Sequence, residues 1–294
     1  MAAVAPVPVP AVPVLVHALA AAGNFSMTGP DPDGLPDLSE SEHHRNKLLE
    51  FPALPRRELL DFQSSWLAPA RSRILRRIAI ARKHRILDLG AGYGQVTVEL
   101  ARRSSGLVVA YDLNELSLRE TDELRRIVRV AGDAALLPFG SGSFDLIYSQ
   151  FSLLWIKSLP QTLDEITRVL EPTGVLVALE PDYAAMIEYP PAVATRQIWL
   201  DALLRSGADP RIGRKLPGQL AALGFSVRVN LLEQIQPPSP QRFEFLEGLP
   251  LTDVERSRLR DIRKLAVEHV TGDGQQISHL PVFLITAVKR TSKS

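Results

Sequence analysis

Hydrophobic positions follow two different spacings along the chain. Over residues 55–80, leucine, isoleucine and aromatic residues recur every three or four positions, which predicts helix, with Pro69 either kinking one helix or starting a second. From residue 84, short apolar runs alternate with helical patterns. Strands are predicted at 85–89, 107–111, 128–131, 144–149 and 174–179, and helices at 95–103, 115–127 and 159–170. Such alternation predicts a doubly wound α/β fold with a mostly parallel sheet.

The alternation changes after residue 180. A helix from about residue 190 to 207 is followed by a polar turn at 208–215, and a charged amphipathic stretch lies near 250–270. These segments predict insertions at about 182–212 and 238–272. A helix at 216–223 and strands at 225–232 and 281–289 complete a predicted seven-stranded, Rossmann-like sheet.

Three regions are therefore expected. Residues 1–39 are rich in alanine, valine and proline and predict a disordered arm, residues 40–80 a helical lid, and residues 81–294 the α/β domain. The first 22 residues contain no lysine or arginine, and their prolines oppose the apolar helix of a signal peptide or membrane span. A soluble, cytoplasmic protein is the expectation.

Charge and cysteine content limit the partners. Lys and Arg number 34 and Asp and Glu number 33, so no overall field favours nucleic acid or an anionic membrane. The absence of cysteine excludes disulfides and thiolate metal sites, and the adjacent His43 and His44 lack metal-ligand spacing. A small-molecule partner and no metal are predicted, and a homodimer is left open.

A glycine-rich turn follows the first predicted strand. Asp88 precedes Gly90, Gly92 and Gly94, and Gly94 follows Gly92 by two positions rather than the three of a dinucleotide-binding fingerprint. Glycines at a helix N-terminus expose backbone N–H groups to an anionic group such as a carboxylate, whereas Asp88 favours an ammonium group. Together these features predict a site for an amino-acid moiety.

Further polar residues end the next strands. Asp112 ends the second strand, where an acid accepts hydrogen bonds from ribose hydroxyls. Asp133 and Ala134 follow the third strand, and Gln150 and Phe151 end the fourth, at the edge where open α/β sheets bind ligands. An amino acid beside a ribose suggests S-adenosylmethionine (SAM).

Over roughly residues 84–181 the chain resembles the class I SAM-dependent methyltransferases, in particular the ubiquinone/menaquinone-type subgroup. The residues that carry the resemblance are those above, with Leu137-Pro138-Phe139 and Leu170-Glu171-Pro172-Thr173-Gly174 before the fourth and fifth strands. The resemblance implies a cofactor site of Asp88, Gly90, Ala91, Gly92 and Gly94 for methionine, Asp112 for ribose, and Asp133 and Ala134 for adenine, with Leu113, Gln150 and Phe151 as further cofactor-binding residues. The histidine often found after the fourth strand is missing.

The sequence is less specific about the residues that bind the methyl acceptor. Glu180, Asp182 and Tyr183, beyond the fifth strand, are candidates for a general base, although a solvated loop explains them equally well. Methyl transfer needs a base only when the acceptor must lose a proton. The candidate substrate residues are Trp66, Leu154, Trp155, Met186 and Arg214. The predicted function is methyl transfer from SAM to an O, N or C nucleophile of a small apolar or aromatic molecule.

Two alternatives belong to other classes. A SAM-binding module or partner subunit without catalysis is compatible with the missing histidine and the long arm. A nicotinamide-dependent oxidoreductase is disfavoured by the glycine spacing and by Asp88, whose charge would repel a pyrophosphate.

Overall fold

The structure is a computed structural model that describes residues 53–235, 238–268 and 276–290. Its strands are β1 (Arg85–Leu89), β2 (Leu107–Asp112), β3 (Ile127–Ala131), β4 (Phe144–Gln150), β5 (Leu170–Pro181), β6 (Ile187–Tyr189), β7 (Phe225–Leu231), β8 (Ile277–His279) and β9 (Val282–Lys289). Its helices are α1 (Arg57–Arg77), α2 (Gln95–Arg103), α3 (Glu115–Arg119), α4 (Leu159–Val169), α5 (Arg196–Arg205), α6 (Ile212–Ala222), α7 (Gln241–Glu247) and α8 (Asp253–Glu268). The predicted arm at 1–39 and the start of the predicted lid lie outside the described residues.

Seven strands form one sheet in the order β3-β2-β1-β4-β5-β9-β7. The pairs among β1 to β5 are parallel, whereas β9 runs antiparallel to both β5 and β7. The order reverses between β1 and β4, and this switch point is where doubly wound sheets bind ligands. The predicted seven-stranded, mostly parallel Rossmann-like sheet is confirmed. A separate two-stranded sheet of β6 and β8 was not predicted.

Apolar side chains cover both faces of the sheet. One core joins α1 and α2 to the sheet through residues such as Leu67 and Leu100, while the other joins the sheet to α4, α5 and α6. Strands buried on both faces read as nearly continuous apolar runs rather than alternating ones, as in β2. The two cores leave the carboxyl edge of the sheet free for polar loops.

Helix α1 is continuous through Pro69. Leu67, Ile74 and Leu75 are buried along one side of it, so tertiary packing stabilises the helix despite the proline. The first of the two predicted alternatives, one helix, is therefore correct.

The helix predicted from about residue 190 to 207 spans only Arg196–Arg205. Two further predicted boundaries are also wrong, and packing explains them. The helix predicted at 115–127 ends at Arg119, because the next residues lead into β3, and the Arg126 carbonyl accepts a hydrogen bond from the Val108 N–H at 2.8 Å. The polar turn predicted at 208–215 contains the start of α6, because Ile212 is fully buried and Gly213 packs on the backbone of β5. In both places long-range packing overrides local preference.

Within the described ranges, no helix combines the length and apolar character needed to cross a membrane.

Candidate active site

A cavity of about 1220 Å³ opens at the carboxyl edge of the sheet. This volume exceeds the roughly 300–1000 Å³ of a typical small-molecule pocket, so the cavity has room for two molecules. One part of its lining, the cradle, comes from the loops after β1 to β4 and comprises residues 88–92, 111–114, 132–134 and 150–152. The other part, the apolar wall, comprises Leu59, Trp66, Leu154, Trp155, Tyr183, Met186, Trp199, Leu203, Phe245, Leu249 and Leu280.

Two glycines shape the turn after β1. Gly90 has φ +75°, and a Cβ there would lie 1.5 Å from the Ser152 hydroxyl oxygen, so only glycine lets the two loops meet. Gly92 has φ +56°, and a Cβ there would project into the cavity, with Leu60 and Leu54 side chains 3.8 and 3.9 Å away. Gly92 therefore leaves space in the cradle that any side chain would fill.

The backbone N–H groups of this turn are not free, which corrects one prediction. Those of Gly90 and Ala91 both donate to the Tyr111 carbonyl, at 2.8 and 3.1 Å, and that of Gly92 donates to Asp112 Oδ2 at 2.8 Å. The parallel pairing of β1 with β2 brings these acceptors over the turn, so the turn binds them rather than a ligand carboxylate.

Another donor is available at the start of α2. Gly94 is the N-cap of this helix and does not line the cavity. The next residue, Gln95, does line it, and its Nε2 is buried without a hydrogen-bond partner among the described residues. A buried unpaired donor is destabilising unless a ligand satisfies it, so Gln95 suits the carboxylate that the turn cannot bind. Sequence reasoning missed it, although its place just after the last glycine was a signal.

Asp88 lies at the floor of the cradle. Its side chain is 2% exposed, and its Oδ2 accepts a hydrogen bond from the Thr97 hydroxyl at 2.6 Å. Burial raises the pKa of Asp88 to about 7, although the Thr97 bond and the positive charge of Arg71 oppose the shift. A ligand ammonium group would stabilise the ionised form, as the sequence predicted.

Asp112 and Leu113 line the cavity where β2 ends. Asp112 Oδ1 accepts from the Asn114 N–H at 2.8 Å, and burial raises the pKa of this carboxyl despite its backbone hydrogen bonds. Each carboxylate oxygen has two acceptor positions, so Asp112 retains capacity for ribose hydroxyls.

Asp133 and Ala134 also line the cavity. Asp133 Oδ1 accepts from the Ala135 N–H at 3.0 Å, and the Tyr111 hydroxyl donates to the Asp133 carbonyl at 3.0 Å. The hydrogen bond from Tyr111 thus holds the loop after β3 against β2.

Arg71 connects α1 to the cradle and was not predicted. Its guanidinium is buried, donates to Glu99 Oε2 at 2.7 Å and donates from Nη1 to Gln150 Oε1 at 3.1 Å. The Tyr148 hydroxyl donates to the same Gln150 oxygen at 2.8 Å. These bonds orient Gln150, which lines the cavity. No local motif marks Arg71, because one arginine among several in a helix looks like a solvated residue.

Phe151 has a strained backbone. Its φ is +52°, its N–H donates to the Leu179 carbonyl at 2.9 Å, and its ring meets the edge of Trp66 with centroids 6.4 Å apart. Positive φ in a bulky residue persists only where surrounding structure enforces it, and such residues cluster at functional sites.

The predicted acceptor residues divide into two groups. Trp66, Leu154, Trp155 and Met186 all line the cavity. Tyr183 lines it too, stacked on Trp199 at 4.8 Å between ring centroids. Burial raises the pKa of Tyr183, so its hydroxyl remains protonated and is a poor general base.

Glu180 lies outside the cavity lining. It is fully buried, and its Oε1 accepts from the backbone N–H groups of Ser152 and Leu153, at 3.2 and 2.9 Å. Burial raises the pKa of Glu180 to about 8. Its position fits a role in holding the loop after β4 rather than the predicted role as a base.

Asp182 and Arg214 are paired with each other, also outside the cavity lining. Asp182 is fully buried and accepts from the Ala184 N–H at 3.1 Å, so it caps the turn after β5. The structure therefore does not bring either residue to the predicted catalytic or substrate position. Within the described ranges, no cluster of three or more His, Asp or Glu side chains is arranged to hold a metal ion.

Comparison with known proteins agrees with this geometry. Residues 87–178 match the family described as a methyltransferase domain. The chain is 30% identical over 169 residues to the mitochondrial arginine-hydroxylase NDUFAF5 of Rattus norvegicus, covering 55% of this chain and 48% of that protein. It is 33% identical over 147 residues to a demethylmenaquinone methyltransferase of Mycobacterium marinum, covering 49% and 59%.

A malonyl-[acyl-carrier protein] O-methyltransferase of Halorhodospira halophila is 39% identical over 112 residues, 36% of this chain and 38% of that protein. The chain spans about half the length of the curated relatives it matches, or less.

Among solved structures, a Bacillus halodurans protein described as a methyltransferase superposes with a TM-score of 0.53 at 20% identity, covering 74% of this chain and 97% of that one. The YcgJ protein of a Bacillus species gives the same TM-score and coverage at 15% identity. At these identities the likeness establishes the fold alone. The likeness confirms the predicted fold, and the family match confirms the predicted family resemblance and SAM cofactor.

Proposed function

We propose that the protein transfers the sulfonium methyl group of SAM to a small apolar or aromatic molecule, because residues 87–178 match a methyltransferase domain and resemble the class I SAM-dependent methyltransferases of the ubiquinone/menaquinone type. The acceptor atom is an O, N or C nucleophile. The observation that carries this proposal is the continuous cavity in which a polar cradle and an apolar wall face the same space.

The cradle residues fit the cofactor group by group. Asp88 would bind the ammonium and Gln95 the carboxylate of the methionine part, Asp112 the ribose hydroxyls, and Asp133 with Ala134 the adenine. Gly92 provides the space that the methionine part needs. When bound, SAM supplies a methyl group on a good leaving group, so the protein needs no covalent intermediate.

The apolar wall would position the acceptor. Leu154, Trp155 and Trp199 exclude water, and an acceptor held in line with the sulfonium gains most of its acceleration from proximity. Glu180 Oε1 and Asp182 Oδ1 accept hydrogen bonds from backbone N–H groups, and the Tyr183 hydroxyl stays protonated. The proposal therefore assigns catalysis to alignment rather than to a general base.

We further propose that residues 40–80 act as a lid and residues 81–294 as the catalytic domain. Helix α1 is the described part of this lid, and Arg71 ties it to Gln150 at the cradle. The insertions at about 182–212 and 238–272 supply Trp199, Phe245 and Leu249 to the apolar wall.

Transfer of a radiolabelled methyl group from SAM tests the proposal. The acceptor panel should hold apolar and aromatic phenols, amines and carboxylic acids, with Gly92→Arg as the inactive control. Labelled product with the wild type and none with the variant is expected. Tight SAM binding without turnover on any acceptor would instead support the non-catalytic module, and binding of NAD or NADP in place of SAM would support the oxidoreductase.

The name of the rat relative, an arginine-hydroxylase, suggests one second function. An arginine-containing peptide therefore belongs in the panel, in one reaction with SAM and in another with dioxygen and a reductant, which hydroxylation requires, and with product analysis by mass spectrometry. A gain of one methylene unit indicates methylation, whereas a gain of one oxygen atom indicates hydroxylation.

A further inference from the structure

Arg242 is a cation in the lining of the cavity that the SAM site does not use. It lies in α7, within the second insertion, far along the chain from the cradle loops. The side chain is partly buried, and its Nε is shielded from solvent without a hydrogen-bond partner among the described residues. Its guanidinium carbon lies 4.7 Å above the centre of the Phe243 ring.

Other charged side chains of the cavity lining have partners. Arg56 pairs with Glu244 at 2.7 Å, Asp88 accepts from Thr97, and Asp112 accepts from backbone N–H groups. Asp133 and Lys157 are engaged as well. Within the part of the chain that the structure describes, the Arg242 guanidinium has neither an ion pair nor a hydrogen bond.

The acid that attracts Arg242, Glu188, is already occupied. Glu188 Oε1 accepts from both the backbone N–H and the hydroxyl of Thr195 at 2.8 Å, and its Oε2 accepts from the Arg196 N–H at 2.9 Å. Burial lowers the pKa of Arg242 although Glu188 opposes the shift. An arginine nevertheless stays protonated in proteins, so the cavity holds a partly desolvated guanidinium to which no anion is hydrogen-bonded among the described residues.

We propose that Arg242 binds a carboxylate group of the methyl acceptor, which makes the substrate class apolar or aromatic acids. The planar guanidinium matches a carboxylate with two parallel hydrogen bonds, and the surrounding wall accommodates the apolar part. This inference rests on the proposed function, because it names the acceptor of that reaction. It also assigns to Arg242 the substrate contact that the sequence placed on Arg214.

The test compares acids with their uncharged amides. Calorimetry of octanoate against octanamide, and of 2-naphthoate against 2-naphthamide, is run on the full chain with saturating S-adenosylhomocysteine. We expect the wild type to bind at least one acid about tenfold more tightly than its amide. In Arg242→Gln that preference falls to roughly unity, while amide binding changes by less than about threefold.

Arg211→Gln is the matched control, because Arg211 is exposed and lies outside the cavity lining. It should retain the preference for the acid. Titration of S-adenosylhomocysteine into Arg242→Gln should give wild-type affinity, which shows that the variant is folded. Arg242→Glu should reverse the preference, so that octylamine binds more tightly than octanoate.

An acid preference that persists in Arg242→Gln overturns the inference, and so does a wild type that binds neither acid more tightly than its amide. Failure of the proposed function would give a different experimental result. In that case no acceptor is methylated, yet the Arg242-dependent preference for acids remains.

Discussion

The cradle and the apolar wall line one cavity but are built in different ways. The cradle comes from four loops, each directly after a strand of the parallel sheet, so short motifs carry its residues. The wall draws Trp66 from α1, Trp199 and Phe245 from the two insertions, and Leu280 from the segment before β9. Short motifs in one part of the chain therefore identify the proposed cofactor site, whereas the proposed acceptor site combines residues from segments far apart in sequence.

The two regions also differ in charge. The cradle presents Asp88, Asp112 and Asp133, which suit the ammonium, hydroxyl and amino groups of SAM. The wall is apolar and borders on Arg242. One cavity thus offers acceptors for hydrogen bonds on the cofactor side and a cation on the acceptor side, which separates the two ligands by their chemistry.

The largest expected effect tests whether the cradle is the cofactor site. Gly92→Arg should weaken SAM binding by more than about 100-fold, because the new side chain fills the space beside Asp88 and Asp112. Calorimetric titration of SAM measures the loss.

Gly142→Arg is the matched control for backbone strain. Gly142 has φ +69° and comparable room, since a Cβ there would lie 3.8 Å from the Glu171 Cα, but it does not line the cavity. Both variants should lose about 1–3 kcal/mol of unfolding free energy, and only Gly92→Arg should lose SAM. Equal SAM affinity in the two variants would show that the turn after β1 does not bind the cofactor.

A smaller effect concerns the charge of Asp88. Its pKa of about 7 in the free protein means that the carboxyl is protonated below neutrality and must release its proton to pair with the cofactor ammonium. SAM affinity should therefore rise with pH up to the folded pKa, and be roughly tenfold lower at about pH 6 than at about pH 7.5. Titrations in buffers of different ionisation enthalpy should show proton release.

Two controls isolate this effect. Asp88→Asn should bind SAM weakly at every pH, without the slope. 5′-Methylthioadenosine, which lacks the amino-acid part, should bind the wild type with no such slope. A slope that is retained in Asp88→Asn would assign the titration to another group, such as Asp112.

The smallest effect on cofactor affinity tests the link between lid and cradle. Arg71→Met should reduce SAM affinity by about threefold, because Gln150 loses one of the two donors that orient it and keeps only the Tyr148 hydroxyl. It should also lower the free energy of unfolding by about 2–4 kcal/mol, because the partly buried Glu99 carboxylate loses its ion pair with Arg71. Calorimetry and urea denaturation measure the two losses.

Arg119→Met provides the matched control. Arg119 pairs with Glu115 at 2.7 Å on an exposed helix face, so its loss should change stability by less than about 0.5 kcal/mol and leave SAM affinity unchanged. Similar stability losses in both arginine variants would mean that Arg71 does not fix α1 on the cradle.

Sequence reasoning succeeded where a residue's role follows from its neighbours in the chain. The apolar runs placed the strands, because a strand buried on both faces must be apolar throughout. Glycine spacing and the acids Asp88, Asp112 and Asp133 at strand ends located the cradle, because parallel strands bring their carboxyl ends to one edge.

Sequence reasoning failed where the hydrogen-bond or ion-pair partner of a residue comes from a distant segment of the chain. The turn after β1 was expected to expose its N–H groups, but Tyr111 and Asp112 on β2 accept them. Glu180 and Asp182 were candidates for a base, yet Glu180 Oε1 accepts from the backbone N–H groups of the loop after β4, and the Asp182 carboxylate accepts from the Ala184 N–H and Arg214.

The sequence by itself determined the doubly wound sheet, the cofactor and the position of the cradle, since local periodicity and glycine spacing encode them. Tertiary structure alone decided that Arg71 orients Gln150, that Gln95 presents an unpaired donor and that Arg242 borders an apolar wall. The physical reason is that the hydrogen bonding and desolvation of a side chain depend on which groups surround it, and folding brings those groups from distant parts of the chain.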